Sequence, residues 1–220
     1  MEFHSTLVFF HVLLFVFWLG TDIGVFLAAK LSERGSLSAE TRSTLMGLGM
    51  VLDRLPRSAV TLIVPSGLQI AVNASLLRVP GPVLPILWIT CVLWLLVLWR
   101  GFLRPGSSSE KQSHQVNFLM HIVLALLVNG YAVFLLMNSA APLWLDIKIL
   151  MVGLILIAGI ALDAMFKPAV AAFLDIVTKG ATEERNAIYS RAIGPVYTAV
   201  LAIYLFVVIA AYMGVAKPAF

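Results

Sequence analysis

The sequence has little of what a water-soluble protein needs at its surface. Only 12% of its 220 residues are charged, whereas 61% are hydrophobic, and the mean hydropathy is +0.99. A chain of this composition cannot cover itself with polar groups, which excludes a soluble globular fold. The sequence therefore predicts a polytopic membrane protein.

Cysteine is almost absent as well. Cys91 is the only one, and it lies inside an apolar segment, so an internal disulfide or a site built from several cysteine ligands is excluded. We interpret Cys91 as a packing residue. The net charge of +4 does not indicate a nucleic-acid partner, because the basic residues follow the ends of the apolar segments.

Six apolar segments are long enough to cross a bilayer. A hydrocarbon core of about 30 Å needs about 20 helical residues, and the segments cover about 7–29, 58–77, 83–102, 116–137, 143–166 and 195–215. The first has no basic stretch or cleavage site before it, so we expect it to remain as a span. We predict a single all-α membrane domain over residues 1–220 with six transmembrane helices.

The basic residues predict the orientation of this bundle. Six crossings place twelve of them on one side, which we call the basic side, and three on the opposite side. The positive-inside rule then predicts that the basic side is cytoplasmic and that both termini are periplasmic, in a bacterial inner membrane. The twelve are Lys30, Arg34, Arg42, Arg54, Arg57, Arg100, Arg104, Lys111, Lys167, Lys179, Arg185 and Arg191, and the three are Arg78, Lys148 and Lys217.

The first span carries polar groups within an otherwise hydrophobic run. At about 100° per residue, His11, Trp18 and Asp22 fall on one helical face. Ionisable groups are costly in hydrocarbon, so we expect this face to look at protein or water rather than at lipid.

His11 and Lys148 are predicted to lie at one depth, in the half of the membrane opposite the basic side. One interpretation is a pocket in which His11 ligates a metal or haem while Lys148 pairs with a propionate or substrate carboxylate. The other is that Asp146 and Lys148 reach interfacial water and that His11 bonds a backbone carbonyl. His121 lies roughly 18 Å deeper, so one haem iron is not expected to take both histidines.

Asp22, His121 and Asp163 share a second level, in the half of the membrane nearer the basic side. Chains of carboxylate and imidazole groups occur in membrane proton relays, so these residues predict a proton path or an anion site. The alternative is an ion-pair network that neutralises the aspartates and fixes helix packing. Basic residues at this level are Arg54, Arg57 and Arg191.

Pro65 in the second span predicts a kink, because proline removes a helical hydrogen-bond donor. A kink would turn Ser66, Gly67 and Gln69 toward the interior and make room for a flat ligand. Packing alone is an equally good reason for such a kink.

Four stretches carry a resemblance to known families. They are His11 with Trp18 and Gly20, Leu52-Asp53-Arg54-Leu55-Pro56-Arg57 through Gly67-Leu68, Trp144-Leu145-Asp146-Ile147-Lys148 with Gly153, and Arg191-Ala192-Ile193-Gly194-Pro195 through Val215-Ala216-Lys217-Pro218. The first resembles the opening helix shared by the membrane-embedded haem-binding protoporphyrinogen oxidases of bacteria and the copper-resistance D family. The second is similar to the oxidases and to related uncharacterised integral membrane proteins, and the others resemble the last two oxidase helices.

This resemblance implies a four-helix core from spans one, two, five and six, with an added hairpin over about 83–137. It implies a membrane oxidoreductase in which His11 ligates the iron of haem b, Trp18 packs on the macrocycle and Lys148 is the matching lysine. Asp146 stands where the oxidases tend to have a histidine. The implied partners are a porphyrin or a quinone. The competing hypothesis is a small transporter or helper subunit, and the sequence leaves substrate, electron acceptor and homo-oligomer formation open.

Overall fold

The computed structural model describes residues 2–138 and 140–219, and this part of the chain contains seven α-helices and no strand. The helices are α1 (Glu2–Ser32), α2 (Ala39–Leu52), α3 (Arg54–Asn73), α4 (Val83–Phe102), α5 (Ser108–Asn138), α6 (Leu143–Lys179) and α7 (Glu183–Ala216).

Six helical stretches are long and apolar enough to cross a membrane, which confirms the predicted all-α, multi-pass architecture. Helices α2 and α3 together form one of them, Ala39–Asn73. At 1.5 Å per residue the 37 residues of α6 extend over about 55 Å, well beyond the hydrocarbon core of about 30 Å. The longest helices therefore continue past the bilayer.

The connection between α6 and α7 is built from local sequence signals. Gly180 ends α6 with a φ of +85°, a conformation that glycine adopts without steric cost. Two residues later, the Thr182 side chain accepts a hydrogen bond from the Arg185 backbone N–H at 3.2 Å and caps the N-terminus of α7.

The spanning helices pack as a ring in the order α1, α3, α4, α5, α6 and α7, with α7 returning to α1. Helices α4 and α5 close this ring between α3 and α6. The main hydrophobic core draws on all six spanning helices, among them Trp18 of α1, Trp94 of α4 and Leu124 of α5. The hairpin that the resemblance treats as an addition is thus part of the core and brings α5 side chains into the interior.

A polar cluster joins α1, α2 and α7 on the basic side. The Arg42 side chain is fully buried, and its Nε donates to the Ser32 carbonyl at 2.6 Å. Its Nη1 donates to Asn186 Oδ1 at 2.8 Å, and the Tyr189 hydroxyl lies 2.9 Å from Ser32 Oγ. These contacts hold the end of α1 against the start of α7.

Glu33, just after α1, reinforces the same junction. Its carboxylate accepts hydrogen bonds from the Ser190 and Tyr197 hydroxyls and from the Lys30 ammonium. Burial raises the pKa of Glu33, but the hydrogen bonds and the charge of Lys30 outweigh burial and bring the pKa below its ordinary value. The ionised form of Glu33 therefore helps to hold α7 against α1.

Candidate functional site

A cavity of about 70 Å³ lies between the helices in the half of the bundle nearer the basic side. Asp22 of α1, His121 of α5 and Asp163 of α6 all line it. The three residues that the sequence placed at one depth are thus brought together, although their role stays a prediction.

Arg57 of α3 is the basic residue that this cavity engages. Its Nε lies 2.5 Å from Asp53 Oδ2, and its Nη2 lies 3.2 Å from Asp163 Oδ1. The Asn117 amide adds a long contact of 3.5 Å to the other Asp163 oxygen. The bond to Asp163 ties α3 to α6, and the bond to Asp53 pairs Arg57 with the residue just before its own helix.

The other two basic residues expected at this level lie elsewhere. The Arg54 guanidinium sits over the Phe102 ring, 5.8 Å from its centroid. Arg191 is exposed and donates to the Ala187 carbonyl of its own helix. The expectation that three arginines surround the trio is therefore wrong for two of them, because equal depth does not fix the helical face on which a side chain lies.

Carboxylates outnumber cations in the cavity. Asp22, Asp53 and Asp163 line it together with one guanidinium, that of Arg57. Within the described ranges Asp22 has no ion-pair partner. The Tyr204 hydroxyl of α7 lies close enough to interact with the Asp22 carboxylate, and Arg57 acts on Asp22 through its charge without forming an ion pair with it. Asp22 is thus the least neutralised carboxylate of the site.

The His121 ring is held in one tautomer. It is 8% exposed, and its Nδ1 lies 3.0 Å from the Asn117 backbone carbonyl. A carbonyl oxygen can only accept, so Nδ1 carries the hydrogen and Nε2 keeps a lone pair. The edge of the imidazole packs against Trp94, with ring centroids 5.4 Å apart. Nε2 receives no hydrogen bond from the residues described, and it faces the cavity beside Gly159.

His11 occupies a separate site in the opposite half of the membrane. Its Nδ1 lies 2.8 Å from Ser66 Oγ, and that hydroxyl donates to the Ile63 carbonyl at 3.1 Å. In the tautomer in which Nδ1 carries the hydrogen, His11 donates to Ser66, the serine proton goes to the Ile63 carbonyl, and Nε2 keeps a lone pair. The interpretation that His11 bonds a backbone carbonyl is therefore wrong. Helix α3 runs as one helix through Pro65.

Lys148 lies close enough to His11 for its charge to act on the imidazole. Its ammonium occupies the space that a Cβ at Gly214 would fill, so α6 and α7 meet closely at this point. No carboxylate pairs with Lys148 in the described part of the chain. The sequence placed His11 and Lys148 at one level, and their sharing of one pocket stays a prediction.

One expectation about a neighbouring residue does not hold. Asp146 is 2% exposed, and its Oδ1 has no hydrogen-bond partner among the described residues, so it does not reach interfacial water as one interpretation required. Trp18 lines the cavity with Asp22, about two helical turns from His11. Its grouping with His11 and Lys148 at a cofactor stays a prediction.

Haem fits this structure only in part. His11 offers a free Nε2, as an axial ligand must. The cavity does not include His11 and, at about 70 Å³, is far below the roughly 300–1,000 Å³ of small-molecule pockets. A groove of about 520 Å³ between α5 and α6 also excludes His11. In this arrangement of the helices, neither space can hold a macrocycle bound to His11. Haem binding stays a prediction.

Sequence reasoning missed several members of the two sites. Asp53 and Tyr204 were not expected near the trio, and the contact between His11 and Ser66 was not expected either. One signal was available, because Asp53 lies four residues before Arg57, a spacing that brings helical side chains together. Nothing in the sequence pairs Tyr204 with Asp22, since that contact depends on how α7 packs on α1.

Comparisons with protein-family models, with curated proteins and with solved structures find no match for the chain. The resemblance to haem-binding oxidases therefore stays a prediction, and the argument for function depends on the chemistry of the two sites.

Proposed function

We propose that this multi-pass membrane protein binds a cation in the cavity around Asp22, His121 and Asp163 and passes it through a bacterial inner membrane. One observation supports this proposal above all others. Three carboxylates line a cavity between membrane-spanning helices, and a single guanidinium faces them.

The unbalanced charge is the physical basis of the proposal. An ionised carboxylate taken out of water without a partner costs several kcal/mol, as an order of magnitude. Arg57 offsets this cost for Asp53 and Asp163, whereas Asp22 has no such partner. A bound cation next to Asp22 would relieve this penalty, so the site favours positive ligands.

Lys148 favours a gated carrier over an open pore. Its ammonium lies in the opposite half of the membrane, close to His11, and a fixed positive charge is an electrostatic barrier to cations. The small cavity is also no continuous channel. Passage then requires a movement that shields or displaces Lys148.

Ion flux into liposomes tests the proposal. The protein is reconstituted, a membrane potential is imposed, and cation entry is followed with trapped dyes. Wild-type protein should carry cations, and Asp22→Asn should reduce the flux to that of protein-free liposomes. Asp175→Asn is the matched control, because Asp175 is 54% exposed and pairs with Lys179 away from the cavity. Wild-type flux no greater than that of empty liposomes contradicts the proposal, as does full flux in Asp22→Asn.

Haem b ligation by His11 is a second candidate, and one contact favours it. Donation from His11 Nδ1 to Ser66 fixes the ring and leaves Nε2 free, the arrangement that metal-ligating histidines use. Lys148 could pair with a carboxylate of a porphyrin. A redox role with a porphyrin or quinone would follow from such binding.

Absorption spectra separate this candidate from the first. If haem binds, protein from haem-replete cells has a Soret band that His11→Ala removes, His121→Ala retains and Lys148→Ala weakens. Gly67→Ala should also weaken the band, since a Cβ there would lie 3.0 Å from His11 Cε1. Gly20→Ala is its control, because no atom lies within 4 Å of a Cβ at that position. Wild-type protein without a Soret band rejects the haem candidate.

A further inference from the structure

We infer that the cation is a proton, shared between Asp22 and the Nε2 of His121 across the cavity. This inference rests on the proposed cation function. It identifies the ion, which the charge balance of the cavity alone does not identify.

Asp22 is the carboxylate available for protonation. Every other ionisable group that faces it from the surrounding helices is engaged or uncharged. Helix α3 contributes Arg57, which pairs with Asp53 just before the helix, and α6 contributes Asp163, which also pairs with Arg57. Helix α4 presents the uncharged Trp94 to His121, and α7 contributes the Tyr204 hydroxyl. A proton on Asp22 removes the one charge that no neighbour compensates.

His121 is the matching acceptor. Its Nδ1–H donates a hydrogen bond to the Asn117 carbonyl. The free lone pair is therefore on Nε2, on the cavity side of the ring. In the transfer, the Asp22 O–H bond breaks and an Nε2–H bond forms. Asp22 becomes a carboxylate and His121 an imidazolium, so charge and atoms balance. The imidazolium then lies near the carboxylate of Asp163, which the Asn117 amide also contacts.

The cavity has room to connect the two groups through water. A cavity needs about 10–15 Å³ of this kind of space to hold one water molecule, so about 70 Å³ is enough for water between the two groups. Polar lining groups provide the partners that buried water requires. A proton can move along a short chain of such water molecules.

A sodium ion finds too few oxygen ligands here. Sodium sites in transporters rely on backbone carbonyls of unwound helices. The lining residues of α1, α5, α6 and α7 lie within continuous helices, so their carbonyls are engaged in helical hydrogen bonds. Pro56, which has no N–H to donate, frees at most one carbonyl beside the cavity. Two of the three carboxylates are already bound by Arg57.

Infrared spectroscopy tests the inference directly. We expect a carbonyl band of a protonated carboxyl group that shifts in D₂O and disappears in Asp22→Asn but not in Asp175→Asn. His121→Gln should move the pH at which this band appears, because it removes the second acceptor. His114→Gln, on the same helix but 68% exposed, should leave that pH unchanged. Absence of an Asp22-dependent band, or identical titration in His121→Gln and wild type, overturns the shared proton.

Flux measured with sodium replaced by choline separates this inference from the proposed function. Undiminished flux without sodium, accompanied by a change in internal pH, supports the proton. Flux that requires sodium and is still abolished by Asp22→Asn retains the cation function and overturns the proton. Absence of any cation flux, with the Asp22 band still present and sensitive to His121→Gln, contradicts the proposed passage and supports the shared proton.

Discussion

Replacing Arg57 by Gln measures how strongly the charges of the cavity depend on one another. The change removes the guanidinium that lies 3.2 Å from Asp163 and 2.5 Å from Asp53. Coulomb's law with an effective dielectric constant of 20 gives about 5 kcal/mol for the 3.2 Å pair. Desolvation of both ions offsets much of this, and loss of one partner of a buried pair usually costs about 3–5 kcal/mol.

We expect Arg57→Gln to cost less than a fully buried pair, about 2–3 kcal/mol, because Arg57 and Asp163 are 21% and 24% exposed. The free energy of unfolding is measured by titration with a denaturing detergent and followed by tryptophan fluorescence. The double variant Arg57→Gln/Asp163→Asn should be less destabilised than the sum of its single changes, because it removes a carboxylate that would otherwise be unpaired.

Arg54→Gln is the control for this experiment. Arg54 lies three residues away and contacts only the face of Phe102 among the described contacts, an interaction worth about 0.5–1 kcal/mol. Equal destabilisation by Arg54→Gln and Arg57→Gln, or strict additivity with Asp163→Asn, would refute the account of the cavity as one coupled network.

Three further predictions concern other parts of the molecule. A reporter that works only in the cytoplasm should be active when fused at Ser108 and inactive at Lys217, and the reverse pattern would invert the predicted orientation. The pKa of Glu33 is lowered in the folded state. Its carboxylate should therefore stabilise the fold fully above the unfolded pKa of about 4.3 and lose this contribution as the pH falls through the folded pKa. Glu33→Gln should remove that pH dependence. A Cβ at Gly153 would overlap an amide of α5, whereas one at Gly130 meets no atom within 4 Å, so Gly153→Ala should cost about 1–3 kcal/mol in detergent titration and Gly130→Ala much less.

Most of the fold could be predicted from the sequence, because the bilayer imposes its thickness on each apolar segment. The six spans follow from segment length and from the position of the basic residues. The predicted segments 143–166 and 195–215 cover only the membrane spans, and helices α6 and α7 continue beyond them, to Lys179 and from Glu183. Outside the membrane, the helices are stabilised by packing around Phe173 and Tyr189. Counting residues along the spans does not predict this packing.

The candidate site could be predicted only by depth. Counting along each helix placed Asp22, His121 and Asp163 at one level, and these residues line one cavity. Depth does not specify rotation about the helix axis, so the same reasoning wrongly added Arg54. Rotation is set by the neighbours that each helix acquires in the ring, and that information lies in packing between distant segments.

Filling the cavity without changing its charge is the most direct test of the central claim. Gly159 lines the cavity, and a Cβ there would lie 3.8 Å from His121 Nε2, so Gly159→Val places apolar atoms where the cation is proposed to bind. Gly130→Val, on the α5–α6 groove, adds the same atoms away from the cavity. In reconstituted liposomes under an imposed potential, we predict that Gly159→Val carries no more cation than empty liposomes, while Gly130→Val carries as much as wild type. Equal flux in folded Gly159→Val and wild-type protein would contradict the claim that this cavity is the cation site.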